Sequence, residues 1–286
     1  MRALPKLPVN DFNLEHTLSC GQLFRTWQKD GWHCVISRNR FFRVRQLSGL
    51  LEYQGVSRKF LEHYFALDEP YTSILSQINK DPYIGKAIEE FYGMRILRQD
   101  PWECLISFLC SSAANIPKIK LNLESLSLFF GEKIEQKGFI WHSFPRPGDM
   151  CNYKQIALAK TGFRAKYLKA ANDAVNEAFL RSLKKLPYRE AKHALKQLPG
   201  VGDKIADCVL LFSLDFPEAF PIDTWMKKIL QKLYFKNKAV PNPELCNFGM
   251  DYFGRYAGYA QQFLYMFARK DSTGNKQRTV YSRAAR

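Results

Sequence analysis

The residues best suited to chemistry lie in one short stretch, Leu198-Pro199-Gly200-Val201-Gly202-Asp203-Lys204, followed by IADCVLLFSL. Pro199 ends one helical pattern, Gly200 and Gly202 permit backbone angles that other residues avoid, and a new helix is predicted from about Asp203. Such a turn points backbone N–H groups outward at a helix N-terminus, which suits an anion. A plain helix–helix connection with two glycines would show the same pattern. Lys204 falls in the first turn of the new helix, where the macrodipole opposes positive charge. That is a poor position for stability but a useful one for a nucleophile, because a helix N-terminus and basic neighbours favour the free amine. The alternative is a snorkelling surface lysine. Cys208 lies four residues on along the same helix face, where a cysteine is most often a small core hydrophobe. Further along, Pro221-Ile222-Asp223-Thr224-Trp225 opens another amphipathic helix. Asp223 is suited to cap it, and a carboxylate held at a helix end can also face developing positive charge. An amine and a carboxylate, each at the start of a helix, are thereby expected within reach of one cleft.

The elements that must position these groups fall into two textures. Residues 11 to about 56 read as strands, with GWHCVISRNRFFRVRQL alternating imperfectly and Gly31, Asn39 and Gly49 in turn-like segments. From about residue 57 the spacing is helical. Asp100-Pro101 reads as an N-cap and first helical residue, after which Trp102, Leu105, Ile106 and Leu109 predict a helix with one buried face. Helices are expected over 117–130, 152–160, 164–182, 188–197, 203–213, 223–234 and 243–268, with 136–151 as a loop. The fold class is therefore α+β, mainly α: a β-rich antiparallel N-terminal domain over 1–97, a helical domain over 98–270, and a basic tail over 271–286.

Bulk composition sets the partners. The formal net charge is +16 in 286 residues, which implies a polyanionic partner, either nucleic acid or an acidic membrane surface. Seven cysteines, odd in number and without a CxxC, argue against a disulfide framework and against structural zinc or an iron–sulfur cluster. MRALPKLPVNDF lacks the apolar core of a signal peptide, and runs such as VLLF at 209–212 are too short to span a bilayer. A soluble monomer without membrane association is expected, intracellular, in the cytoplasm of a prokaryote or the nucleus of a eukaryote.

Over roughly residues 11–268 the chain resembles the helix-hairpin-helix DNA glycosylases, and among them the 8-oxoguanine DNA glycosylase/lyases. LPGVGDKIADC followed by FPIDTW resembles that family's hairpin with its catalytic lysine and then its catalytic aspartate; RQDPWECLISFLCSS (98–112), GFRAKYL (162–168) and YAGYAQQFLY (256–265) are similar to further family segments. The relatives that act on oxidised pyrimidines carry a C-terminal four-cysteine cluster, whereas no cysteine follows Cys246 here; the alkylbase branch lacks the lysine. The resemblance implies removal of 8-oxoguanine from duplex DNA in base-excision repair, with a β-lyase step through a lysine Schiff base and no cofactor or metal. It implies Lys204 as nucleophile and Asp223 as its electrostatic partner. It implies a base pocket of Gly21, Gln261, Cys208 and Tyr265, with the Gly21 carbonyl reading the extra N7 hydrogen. It also implies duplex contacts from Lys118, Phe163, Arg164, Gly200 and Gly202, with Phe163 as a wedge and Arg164 bonded to the orphaned base. Gly21 as a simple turn glycine, and Phe163 and Tyr265 as core aromatics, are the plainer alternatives.

The chain departs from the animal and fungal pattern at three places. Ala113 and Ala114 stand where consecutive asparagines follow the paired serines, Lys118 replaces an arginine, and Trp225 occupies the place of a histidine. An alanine cannot bond into the gap left by a flipped base, and a lysine lacks the planar fork for bidentate base reading. Weak discrimination of the base opposite the lesion is therefore expected. Two other functions share these features: a lyase-type glycosylase for a different lesion, and a non-catalytic module that only grips DNA backbone.

Overall fold

The computed structural model describes residues 4–136 and 139–284, the last fourteen of these by backbone alone, so the expected tail lies outside the described side chains. The chain opens with β1 (Lys6–Pro8), α1 (Leu14–Ser19), β2 (Thr26–Lys29), β3 (Trp32–Ser37), β4 (Arg40–Leu47), β5 (Leu50–Gln54) and α2 (Arg58–Tyr64). It continues through α3 (Tyr71–Ile78), α4 (Pro82–Glu90), α5 (Pro101–Cys110), α6 (Ile116–Phe130), β6 (Lys133–Gln136), β7 (Phe139–His142) and α7 (Tyr153–Ile156). The remaining helices are α8 (Ala165–Ala174), α9 (Glu177–Leu183), α10 (Tyr188–Lys196), α11 (Asp203–Ser213), α12 (Thr224–Tyr234), α13 (Asn242–Phe253) and α14 (Ala257–Ala284). They group into two compact units, one of residues 1–69 and 93–216, the other of residues 70–92 and 217–286.

The first unit holds an antiparallel sheet of order β1-β5-β4-β3-β2. Asp30-Gly31 and Ser48-Gly49, all four at positive φ, close the β2–β3 and β4–β5 hairpins as two-residue turns. One face of the sheet, through Val35, Phe42, Val44, Leu51 and Tyr53, packs on Leu14 and Leu18 of α1 and Leu61 and Tyr64 of α2. The opposite face, through Cys34, Ile36 and Phe41, packs on Trp141 of β7. Burial on both faces explains why the strands alternate imperfectly in sequence. Two expectations need correction here. Residues 11–25 are not all strand, because Asn13 accepts the His16 N–H and starts α1. Segment 136–151 is not all loop, because Phe139–His142 pairs with Lys133–Gln136; its aromatic residues are strand formers that a Gly/Pro-rich context disguised.

The helices of this unit surround α5. Asp100 accepts the Glu103 N–H at 3.0 Å and Pro101 takes the first turn, as the sequence indicates. However, every residue from Trp102 to Cys110 is buried, so α5 is enclosed on all sides and not on one face. The helix expected over 152–160 ends at Ile156 and passes into a wide turn at Ala157–Thr161, with Lys160 at φ 59°. The helix expected over 164–182 breaks at Val175, where the chain is extended and Asn176 caps α9.

In the second unit α3, α4, α12, α13 and the start of α14 pack together. Asp81 organises it: Oδ1 caps α4 through the Tyr83 and Ile84 N–H groups, and Oδ2 accepts the hydroxyls of Tyr234 and Tyr252. The helix expected over 243–268 is broken at Gly254, whose φ is 71°. Among the described residues no helix is long and apolar enough to cross a membrane.

Candidate active site

In the first unit, α10 and α11 form the hairpin around Gly200 and Gly202. The two helices are stapled by a part-buried ion pair: Lys192 Nζ donates to Asp207 Oδ2 at 2.8 Å, and Tyr188 Oη donates to Asp207 Oδ1 at 2.7 Å. Burial raises the Asp207 carboxyl above its ordinary range, and Lys192 opposes that shift. Gly200 has φ 86°, and a Cβ there would meet the Tyr167 ring at 2.5 Å, so only glycine fits. Gly202 differs from expectation. Its φ is −92°, open to any residue, and a Cβ would meet nothing within 4 Å. Gly202 also gives α11 no side-chain cap, unlike the Asp and Asn caps of α4, α5, α6, α7, α9 and α12. Among the described residues no side chain caps the first N–H groups of α11, an arrangement that suits an anion.

Lys204 stands in the first turn of α11, partly exposed. Its Nζ donates to Ser111 Oγ at 3.0 Å and lies 4.8 Å from the centre of the Phe108 ring. Both partners come from the C-terminal end of α5. Ser111 was not singled out from sequence; its only signal there is its place in the paired serines after α5. Cys208, one turn beyond Lys204, is 3% exposed, which agrees with the core reading.

Gly21 sits in a turn at φ 82°, directly after α1. The neighbouring Gln22, fully buried, locks that turn: its Nε2 donates to Thr17 O, Cys20 Sγ and Arg95 O, and its Oε1 accepts the Leu97 N–H at 2.9 Å. Gln22 is a second residue that sequence reasoning missed, because a single amide buried in the core has no periodic signature. Lys118 is partly exposed in the first turn of α6, where its N–H is capped by Asn115. Phe163 is 55% exposed, which rules out core packing, and Arg164 beneath it is 6% exposed. Arg164 Nε donates to Ser112 O at 2.7 Å, Nη2 to Ser112 O and Ala113 O, and Nη1 to Thr161 O. The guanidinium is therefore bound to carbonyls and not presented to solvent.

The second unit carries the remaining candidates. Asp223 caps α12, its Oδ1 accepting the Met226 N–H at 2.8 Å, as expected. Trp225, in the first turn of α12, is 36% exposed. Gln261 on α14 is 4% exposed, and its Oε1 is buried with no hydrogen-bond partner among the described residues. Buried acceptors are rarely left unmet, so this one is suited to a donor supplied by a ligand. Tyr265, one turn on, is partly exposed and lies under the Arg269 guanidinium at 5.4 Å. Among the described residues no cluster of His, Cys, Asp or Glu could hold a metal ion.

Residues 6–105 match the family model described as 8-oxoguanine DNA glycosylase, N-terminal domain. The chain is 37% identical to the N-glycosylase/DNA lyase OGG1 of Arabidopsis thaliana, over 91% of this chain and 78% of that protein. It is 32% identical to the N-glycosylase/DNA lyase of Saccharomyces cerevisiae, over 74% of this chain and 66% of that one. Its structure superposes with a TM-score of 0.87 on the Clostridium acetobutylicum 8-oxoguanine glycosylase/lyase in complex with DNA containing cytosine opposite 8-oxoG, at 32% identity, covering 95% of this chain and 99% of that one. With this identity sustained along the length of both chains, and with a lysine in the first turn beyond an uncapped glycine hairpin, the protein belongs to the 8-oxoguanine DNA glycosylase/lyase family.

Proposed function

We propose that this protein excises 8-oxoguanine from duplex DNA and nicks the resulting abasic site through a Schiff base on Lys204. The observation that carries this reading is the Lys204 amine itself, held by Ser111 Oγ at 3.0 Å in the first turn of a helix whose N-terminus has no side-chain cap. A helix N-terminus without a side-chain cap among the described residues suits a DNA phosphate, and the +16 charge suits the duplex. The damaged nucleotide is flipped out of the stack, at a cost of a few kcal/mol. The Lys204 amine attacks C1′ and the base departs with the electron pair of the glycosidic bond. Asp223 stabilises the oxocarbenium-like charge and handles the proton. The ring-opened Schiff base then loses the 3′ phosphate by β-elimination. The resemblance assigns base binding to each of Gly21, Cys208, Gln261 and Tyr265, and the unmet Gln261 Oε1 suits a donor on the base edge. Phe163 wedges into the duplex, consistent with its exposed ring, while Lys118 and the hairpin at Gly200 and Gly202 meet the backbone.

Borohydride trapping tests this. A duplex bearing 8-oxoguanine should yield a covalent adduct that is lost in Lys204→Gln. No adduct with the native chain on any lesion would return the protein to the non-catalytic DNA-gripping class. An adduct on another lesion and none on 8-oxoguanine would move it to a different branch. Excision measured opposite each of the four bases should vary little; a strong preference for cytosine would contradict the role given to Ala113 and Lys118.

A further inference from the structure

Arg164 occupies the position from which the resemblance implies contact with the base left opposite the lesion, yet its donors face the protein. A guanidinium has five N–H donors. Here Nε and Nη2 serve Ser112 O, Nη2 also serves Ala113 O, and Nη1 serves Thr161 O. The carbonyls of Ser112 and Ala113 flank the Ala113 Cα, and Ala113 has φ 49°. An alanine stays in this left-handed region only when its surroundings hold it there. The same turn begins at Ser111, which takes the Lys204 Nζ hydrogen bond. At the other end of the span, the Phe163 ring lies 4.6 Å from the Arg164 guanidinium. One chain of contacts, all within the first unit, thus runs from the exposed wedge through Arg164 and the Ser111–Ala113 turn to the nucleophilic amine.

We propose that Arg164 is a positioning residue. It fixes the strained turn at Ala113 and through it the Ser111 hydroxyl that aims Lys204, and it does not read the opposite base. The proposal rests on the reading of Lys204 as nucleophile. It also gives the wedge a second role, since the Phe163 ring that enters the duplex sits on the group that sets the amine.

The test is single-turnover excision at saturating protein, on duplexes carrying 8-oxoguanine opposite cytosine and opposite a tetrahydrofuran abasic analogue, which offers no base to read. Arg164→Met should slow the chemical step about tenfold or more, the scale expected of a misplaced reacting group, and by the same factor on both duplexes. Ser111→Ala should shift the pH profile of that step and Ser111→Thr should restore it. The double variant Arg164→Met/Ser111→Ala should be no slower than the slower single variant, because both remove the same restraint. A loss opposite cytosine that vanishes opposite the abasic analogue makes Arg164 a base reader and overturns the proposal. So does an unchanged pH profile in Ser111→Ala, or a double variant whose losses multiply. Should thermal melting show Arg164→Met unfolded, Arg164→Lys, which keeps the charge without the fork, is held to the same two-duplex comparison. Absence of any borohydride adduct in the native chain is the separate result that would remove the underlying reading.

Discussion

Gly200 and Gly202 are the same residue type two positions apart, yet they answer different demands. Gly200 is required by the fold itself, since its φ is 86° and the Tyr167 ring fills the space of a side chain. Gly200→Ala should destabilise the protein by about 1–3 kcal/mol, the range for overpacking a filled site, as read by denaturant unfolding. Gly202 meets no neighbour within 4 Å and has an ordinary φ, so the fold itself does not require glycine there. Gly202→Ala should leave stability within about 0.5 kcal/mol and weaken duplex binding in a fluorescence titration. Unchanged binding would remove the hairpin from the interface. Asp223 separates in the same way into a cap and a charge. Asp223→Asn keeps a side-chain oxygen for the Met226 N–H, so stability should hold within a few tenths of a kcal/mol while excision falls sharply. Asp223→Ala should lose excision and also about 1 kcal/mol of stability. Equal activity in Asp223→Asn and the native chain would reduce the residue to its capping role.

At the scale of elements, α5 carries a carboxyl whose ionisation the fold opposes. Glu103 is fully enclosed on it, and burial pushes its carboxyl up to about 7, with the Arg25 guanidinium and the Arg38 N–H pulling the other way and Asp100 and Glu124 adding to the rise. A carboxyl raised in the folded state holds its proton where the unfolded chain has already lost it. Its contribution is therefore complete at acid pH and is lost as pH climbs from the ordinary value of 4.5 to about 7. The difference in unfolding free energy between the native chain and Glu103→Gln should fall across that window and stay flat above it. A difference that does not change with pH would show that Glu103 is charged throughout. His33, whose protonation burial disfavours, acts in the opposite direction, and the comparison with Glu103→Gln removes it because both proteins carry it. The helices themselves were largely legible: Asp100-Pro101 and Asp223 announced their own starts, because a cap and an N1 proline act within one turn. The breaks at Val175 and Gly254 were not legible, since neither the extended Val175 nor a lone glycine leaves a mark that a periodic pattern must register.

For the molecule as a whole, the formal charge of +16 makes salt dependence the natural test of how it meets DNA. With about six phosphates neutralised, affinity for an undamaged duplex should drop about a thousandfold between about 50 and about 200 mM salt. A flat salt response would mean that the positive charge is spread away from the interface. By itself, the amino-acid sequence determined the α+β class, the two helix starts that carry Lys204 and Asp223, and the family, since caps, glycine turns and motif spacing are local quantities encoded in neighbouring residues. Tertiary structure alone decided that Ser111 receives the Lys204 amine, that Gln22 locks the Gly21 turn, and that Arg164 spends its donors on the Ser112 and Ala113 carbonyls. The Gln22–Leu97, Arg164–Ala113 and Lys204–Ser111 bonds join residues between 51 and 93 positions apart, and a hydrogen bond over such a separation depends on where packing brings two elements together. Nothing in either segment alone encodes that meeting.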